Sequence, residues 1–115
     1  SFIHIDDVSE ATLRIALEGK PGDTYHISTN QTLSIKELVE KISKLLDMSY
    51  QDFVEETAER LGKDQSYMLS SDKLRNELGW TDSIKLKEGI QETINWVDKN
   101  LETLKNLPDK YIHKS

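Results

Sequence analysis

Strand-like segments alternate with helix-like segments along this sequence, and the alternation limits the folds that the chain can adopt. Residues 24–28 alternate polar and apolar side chains as a half-buried strand does, and the apolar-rich residues 1–5 also favour a strand. The segments between and after them repeat apolar residues at every third or fourth position, which is the period of a helix. Interleaved strands and helices predict an α/β fold, or an α+β fold for this chain in isolation.

Two of the predicted helices begin with the spacing of a capping box, in which the side chains at the helix start and three residues later each accept from the other's backbone N–H. Asp7 with Glu10 has this spacing and precedes a helix over about 8–18, and Ser34 with Glu37 precedes a second helix that ends near residue 47. Gly19 is the expected left-handed stop of the first helix.

The second half of the sequence predicts two further helices. The first begins at the polar residues 70–72 and ends at Gly79, and the second starts near Lys87 and ends before Pro108. The last helix carries an apolar stripe that is suited to core packing, formed by Ile90, Ile94, Val97, Leu101 and Leu104. Trp80 and Trp96 are further candidates for the core. Residues 53–56 favour a short strand, and residues 57–66 a loop.

Length and composition predict one domain over residues 1–115, with a frayed tail over 109–115. No cysteine is present, so a disulfide framework or a thiolate metal site is excluded. The apolar runs are too short for a membrane span or a signal peptide, which favours a cytoplasmic protein. A net charge of −6 argues against non-specific nucleic-acid binding, since a polyanion is held by many basic side chains.

Motifs for catalysis and cofactor binding are missing from the sequence. The histidines are scattered without the spacing of metal ligands, so no metal site is expected, and His4 and His26 are predicted to make structural hydrogen bonds. The five glycines form no phosphate-binding motif, and no tyrosine has a lysine four residues later. The adjacent acids Asp6 and Asp7 suggest a carboxylate pair, but helix capping is the favoured role of Asp7.

The best candidate for a ligand site is a charged loop. Arg60 and Lys63 flank Gly62 and are followed by Asp64; the guanidinium suits phosphate oxygens, and glycine allows close approach of the backbone. These residue types form a chemically reasonable diphosphate clamp. By themselves, however, these residue types favour an ordinary solvated loop over a ligand site.

Five segments, in order along nearly the whole chain, resemble a known family. In chain order they are Phe2-Ile3-His4-Ile5-Asp6-Asp7-Val8, the run 21–27, Arg60-Leu61-Gly62-Lys63-Asp64, the run 71–80 and the run 88–96. This order is similar to that of the nucleotide-sugar epimerases and dehydratases among the extended short-chain dehydrogenases/reductases. The resemblance implies the last strands of a Rossmann-type sheet and the small mixed α/β substrate-binding domain.

The resemblance also implies a division of roles. It assigns Arg60 to the diphosphate of a dTDP- or UDP-hexose, with Gly62, Lys63 and Asp64 as lesser contacts. Leu61 departs from the family's usual proline, and Lys63 from a frequent histidine. The family's NAD site and its Tyr-x-x-x-Lys pair lie in an N-terminal Rossmann half, so this chain is expected to bind no cofactor and to hold no catalytic residue.

Two alternatives to a substrate-binding fragment stay open. One is a stand-alone, non-catalytic module that binds a nucleotide. The other is a protein-interaction piece whose apolar surface normally packs on a Rossmann half, which predicts a homo-oligomer when that half is absent.

Overall fold

A computed structural model describes residues 1–55 and 67–108 of the chain, and these ranges contain five helices. They are α1 (Ile5–Glu18), α2 (Ile35–Leu45), α3 (Tyr50–Phe53), α4 (Asp72–Leu78) and α5 (Leu86–Lys105). The predicted frayed tail over 109–115 lies outside the described residues. In the described ranges, no helix is both long and apolar enough to cross a bilayer.

The prediction of an α/β fold is wrong, because the described ranges hold helices and no β-strand. A strand needs a neighbouring strand that exchanges backbone hydrogen bonds with it. At the end of residues 24–28, side chains bond the backbone instead: the Ser28 carbonyl accepts from Ser71 Oγ at 2.9 Å and from Arg75 Nη2 at 3.0 Å. The predicted strands of a Rossmann-type sheet and of a mixed α/β domain are therefore absent from the described part.

The described residues of the other two predicted strands also form no strand. Residues 1–4 form no strand and lead directly into α1, whose N-cap is His4. The imidazole Nδ1 of His4 accepts from the Asp6 N–H at 3.3 Å, so this histidine makes a structural hydrogen bond, but at a helix end rather than within a strand. The possible strand at 53–56 is not seen over its described residues, because α3 ends at Phe53 and Val54 is its C-cap; residue 56 lies outside the described ranges.

α1 begins three residues earlier than the sequence pattern predicts, and this changes the role of Asp7. The side chain lies in the first turn of the helix instead of at its cap, and its carboxylate bonds a distant segment. The capping prediction for Asp7 is therefore wrong. Gly19 does follow the helix, but at φ −67° and not in the left-handed region. Glycine is required there because a Cβ would stand 2.4 Å from the Ile15 carbonyl oxygen.

α2 starts where the capping box predicts. The Glu37 N–H donates to Ser34 Oγ at 3.2 Å, and Glu37 Oε2 accepts from the Ser34 N–H at 2.7 Å. These bonds satisfy backbone donors that the first turn of a helix cannot satisfy internally. The hydrogen bonds that the Ser34 N–H and the Ser34 hydroxyl donate to the Glu37 carboxylate also hold the pKa of Glu37 below its ordinary value.

Removing the Ser34 cap should weaken the fold measurably. We expect Ser34→Ala to lower the free energy of unfolding by about 1 kcal/mol, since a helix N-terminal donor loses its acceptor. Urea denaturation followed by circular dichroism measures this loss. Ser49→Ala is the matched control, because Ser49 is the N-cap of α3 and makes no side-chain capping bond. Equal losses in the two variants would contradict the assigned role of Ser34.

α4 and α5 end as predicted, whereas the short helix α3 was not predicted. α4 ends at Gly79, which adopts the left-handed conformation at φ 63°. α5 begins one residue before the predicted start and ends before Pro108. α1 packs against α4, whereas α2 contacts α3 and α5.

The buried core of the described part is small and lies between α1 and α4. Its fully buried hydrophobic residues are Ala11, Leu74 and Trp80. Within residues 1–55 and 67–108, thirteen large hydrophobic residues are exposed, and Trp96, a predicted core residue, is 56% exposed. The apolar stripe of α5 is only partly covered, since Val97 and Leu101 are exposed. The helical period of α5 was therefore predicted correctly, but the apolar stripe is less buried than the sequence pattern indicates.

Candidate functional site

The charged loop that the sequence selects as a ligand site lies outside the described residues. This applies to all four of its candidate residues, Arg60, Gly62, Lys63 and Asp64. The chain is described again from Tyr67 onward. The structure therefore defines how the C-terminal flank of this loop is attached to the rest of the molecule.

A hydrogen-bonded junction fixes that flank. Ser28 Oγ donates to the Leu69 carbonyl at 2.7 Å, and Ser71 Oγ donates back to the Ser28 carbonyl at 2.9 Å. Both serines are buried. Because the two bonds run in opposite directions between the same segments, they hold residues 69–71 in one register against residue 28.

Arg75 of α4 completes this junction. Its Nε donates to Ser71 Oγ at 2.8 Å, and its Nη2 donates to the Ser28 carbonyl at 3.0 Å and to Asp82 Oδ1 at 2.6 Å. The guanidinium also lies 4.9 Å from the centroid of the Trp80 ring. Arg75 is therefore engaged in the fold, and it is a poor candidate for a phosphate ligand.

The charge of Asp82 is stabilised by the same junction. Burial raises the pKa of Asp82, but hydrogen bonds from the Arg75 and Thr29 side chains outweigh the burial, and the pKa stays below its ordinary value. The pair is mostly shielded from solvent, at 16% and 23% side-chain exposure. Removing one partner would leave an uncompensated charge there.

A second junction links the first turn of α1 to residues 80–84. Asp7 Oδ1 accepts from the Ser83 N–H at 3.0 Å and from Ser83 Oγ at 2.9 Å, and Asp7 Oδ2 accepts from the Ile84 N–H at 3.1 Å. The Trp80 indole N–H donates to the Asp7 backbone carbonyl at 3.1 Å. Asp7 is only 2% exposed, so this carboxylate serves the fold and is not open to a substrate.

One cluster of possible metal ligands was missed by the sequence analysis. His4, Asp6 and Glu92 place a nitrogen and two carboxylate oxygens within 4.8 Å of one another. However, Asp6 lies near Nδ1 and Glu92 near Nε2, on different nitrogens of one ring. Nδ1 also accepts the capping bond of α1, which leaves the proton on Nε2 facing Glu92. Helix capping at Nδ1 and the 3.5 Å contact of Nε2 with the Glu92 carboxylate account for the arrangement.

An apolar groove lies between α2 and α5, and we call it the α2–α5 groove. Its two walls are formed by Leu38, Ile42 and Leu46 from α2 and by Ile90, Ile94 and Val97 from α5. Its volume is about 520 Å³. Three residues of the predicted α5 stripe, Ile90, Ile94 and Val97, thus line an open surface, and in the described part none of the stripe belongs to the buried core.

Comparison with known proteins defines the family. The family model described as GDP-mannose 4,6 dehydratase matches residues 1–93, and the chain therefore belongs to this family of sugar-nucleotide dehydratases. The resemblance seen in the sequence motifs is confirmed.

Individual relatives agree with this assignment. The chain is 32% identical over 112 residues to human dTDP-D-glucose 4,6-dehydratase, a match that covers 93% of this chain and 32% of the human protein. Among solved structures, dTDP-glucose 4,6-dehydratase from Bacillus anthracis in complex with NAD superposes with a TM-score of 0.80 at 31% identity, covering 87% of this chain and 31% of that one.

A third relative carries a nucleotide as well. The Bordetella bronchiseptica enzyme WbmF in complex with NAD+ and UDP superposes with a TM-score of 0.72 at 27% identity, over 90% of this chain and 31% of WbmF. The chain thus spans about a third of the length of the relatives that it matches.

Proposed function

We propose that this chain is the nucleotide-sugar-binding part of an NAD-dependent sugar-nucleotide 4,6-dehydratase or epimerase, and that it is not catalytic by itself. The observation that carries the proposal is the family match over residues 1–93 in a chain that is a third as long as its relatives. The substrate class would be a dTDP- or UDP-hexose. The UDP bound to WbmF supports a nucleoside diphosphate as the ligand.

Arg60 is the residue to which we assign the grip on the diphosphate. Guanidinium is planar and permanently charged, and it donates two parallel hydrogen bonds to phosphate oxygens. Lys63 adds a second positive charge, Gly62 allows the backbone to approach the ligand, and Asp64 offers an acceptor to a ligand hydroxyl. The fixed register of residues 69–71 against Ser28 supports this role, because a binding loop is most effective when its ends are rigidly held.

The residues of this chain do not fit an NAD site or a proton-transfer centre. The sequence contains neither a Gly-x-Gly-x-x-Gly run nor a tyrosine followed four residues later by lysine. We therefore assign NAD binding and proton transfer to another part of a complete enzyme, and to this chain only the binding and orientation of the nucleotide. Such orientation lowers the entropic cost of bringing the sugar against a redox cofactor.

Arg60→Ala should weaken the binding of UDP and dTDP by about tenfold or more, since a charge-assisted, bidentate contact is lost. Isothermal titration of the 115-residue chain measures the affinity. Lys99→Ala is the matched control, because it removes one exposed positive charge from α5 and should leave the affinity unchanged.

Two results would contradict the proposal. Unchanged affinity in Arg60→Ala would remove the assigned diphosphate site. Turnover of a dTDP-hexose by this chain with added NAD would show that it needs no further catalytic part.

A further inference from the structure

Side chains alone supply the hydrogen-bond donors that join residues 67–71, which follow the charged loop in the chain, to residues 24–28. Within the described ranges, no backbone N–H of either segment donates to a backbone carbonyl of the other. The junction consists of the hydroxyl bonds of Ser28 and Ser71 and of the two bonds that Arg75 adds to them. The register of the two segments therefore depends on three side chains, and each can be replaced without removing a bond between backbone groups.

Arg75 determines the direction of these hydrogen bonds. A guanidinium has donors and no acceptor, so the Ser71 hydroxyl accepts from Nε and gives its own proton to the Ser28 carbonyl. Nη2 donates to the same carbonyl, which closes a ring of three hydrogen bonds. The positive charge in this ring polarises the hydroxyl and strengthens its bond to the carbonyl. Arg75 thus fixes both the position of Ser71 and the orientation of its proton.

The guanidinium is itself held in one place. The Arg75 side chain is only 16% exposed, Asp82 Oδ1 lies 2.6 Å from Nη2, and the centroid of the Trp80 ring lies 4.9 Å from the guanidinium carbon. Packing and hydrogen bonds of this kind lock a side chain in one rotamer. Lysine cannot replace this arrangement, because its single ammonium nitrogen cannot reproduce the fixed spacing of Nε and Nη2.

The segment that this ring holds is close to the charged loop along the chain. Asp64 and Leu69 are five residues apart, so their Cα atoms are separated by at most about 18 Å. A slip of residues 67–71 by one position would move the point at which the loop is attached by about 3.3 Å. Binding groups have to be held within about 0.5 Å of their productive geometry, and a slip of this size would displace them.

We propose that Arg75 is a positioning residue for nucleotide binding, which holds Ser71 against Ser28 and thereby sets the C-terminal end of the loop that carries Arg60. This inference rests on the proposed function and adds to it a residue that does not touch the ligand. Nε and Nη2 already donate to protein atoms, so Arg75 acts through the backbone that it holds.

Two substitutions that keep the net charge test this role. Arg75→Lys removes the fork of donors, and Ser71→Ala removes the hydroxyl between Arg75 and Ser28. Each should raise the dissociation constant of UDP about fivefold in isothermal titration of the 115-residue chain, at a temperature where circular dichroism shows the variant to be folded. Ser83→Ala is the matched control, because the Ser83 hydroxyl bonds Asp7 in the other junction, and it should leave the dissociation constant unchanged.

A double-mutant cycle with Arg60→Ala separates positioning from a general loss of structure. When Arg60 is absent, the junction has no guanidinium to place, so Arg75→Lys and Ser71→Ala should each change the dissociation constant of UDP by less than about twofold in that background. A fivefold loss that is the same with and without Arg60 would show that the junction acts on the ligand by another route, and would overturn the assignment.

The two levels of the proposal fail in different ways. A wild-type chain that binds neither UDP nor dTDP overturns the proposed function, and the role of Arg75 with it. Binding that depends on Arg60 but is unchanged in Arg75→Lys and Ser71→Ala overturns the role of Arg75 alone, as does an equal loss in Ser83→Ala. Ser71→Ala keeps the pair of Arg75 with Asp82, so the test remains decisive if Arg75→Lys does not fold.

Discussion

Replacing Trp80 with alanine should lower the free energy of unfolding by about 4 kcal/mol, the largest loss that we expect from a single substitution in this chain. The indole is completely buried and packs with Ala11 and Leu74. Its N–H donates to the Asp7 carbonyl, and the Arg75 guanidinium lies over its ring. Few other hydrophobic residues are fully buried in the described part. The cavity left by the indole would therefore remove a large share of the packing that stabilises the core.

Urea denaturation followed by far-UV circular dichroism measures this effect without relying on tryptophan fluorescence. Trp80→Phe should cost about half as much, because phenylalanine retains most of the apolar surface but lacks the indole N–H. Trp96→Ala is the matched control: it removes the same side chain from an exposed position and should cost under about 1 kcal/mol. Equal losses for the two tryptophans would contradict the assignment of the core.

The features that the sequence predicted correctly are those whose determinants lie within one helical turn. Ser34 and Glu37 satisfy each other's backbone N–H groups across three residues, so the start of α2 is determined locally. Gly79 ends α4 in the left-handed conformation that glycine adopts without steric cost. Such elements need no knowledge of the rest of the fold.

The errors concern features that depend on distant parts of the chain. The alternation at residues 24–28 is typical of a strand, but a strand also needs a neighbour, and side chains of α4 bond these carbonyls instead. Asp7 has the local spacing of a capping residue, yet its partners Ser83 and Ile84 lie more than seventy positions away. Local spacing cannot distinguish these two roles of one carboxylate.

The candidate site at residues 60–64 could be identified from the sequence only through the resemblance to a family. Residue types at 60–64 did not separate a diphosphate clamp from a solvated loop, whereas the order of five motifs did indicate the family. Two features, the cluster around His4 and the α2–α5 groove, were missed by the sequence analysis for a physical reason. His4 and Glu92 meet only when α1 and α5 are assembled, and the α5 stripe has the same periodicity whether it faces a core or a groove.

Asp7 is a buried position where stability should respond to pH. Burial raises the pKa of Asp7, but the hydrogen bonds from the Ser83 and Ile84 N–H groups and the Ser83 hydroxyl together outweigh it and lower the pKa below 3.8. The unfolded chain therefore binds a proton at higher pH than the folded chain does. The stabilisation by this carboxylate is complete above the unfolded pKa and is lost as the pH falls through the folded pKa.

Asp7→Asn should accordingly cost about 2 kcal/mol at neutral pH, since one of the carboxylate's acceptor positions becomes an NH₂ group that faces a donor. The difference between wild type and variant should shrink as the pH falls below about 4, where the Asp7 carboxylate of the unfolded chain begins to take up a proton while that of the folded chain does not. Urea denaturation at a series of pH values measures both quantities.

Asp6→Asn is the matched control for this experiment. It removes a negative charge from the same first turn of α1, but its side chain is 71% exposed and bonds neither Ser83 nor Ile84. We expect it to cost about 0.5 kcal/mol, the usual effect of a lost charge at a helix N-terminus. Asp82 and Glu37 also have lowered pKa values, so wild type and variants all lose stability in acid. Only the difference between Asp7→Asn and wild type isolates the junction, and a difference that stays constant down to low pH would mean that the charge of Asp7 does not hold α1 to residues 80–84.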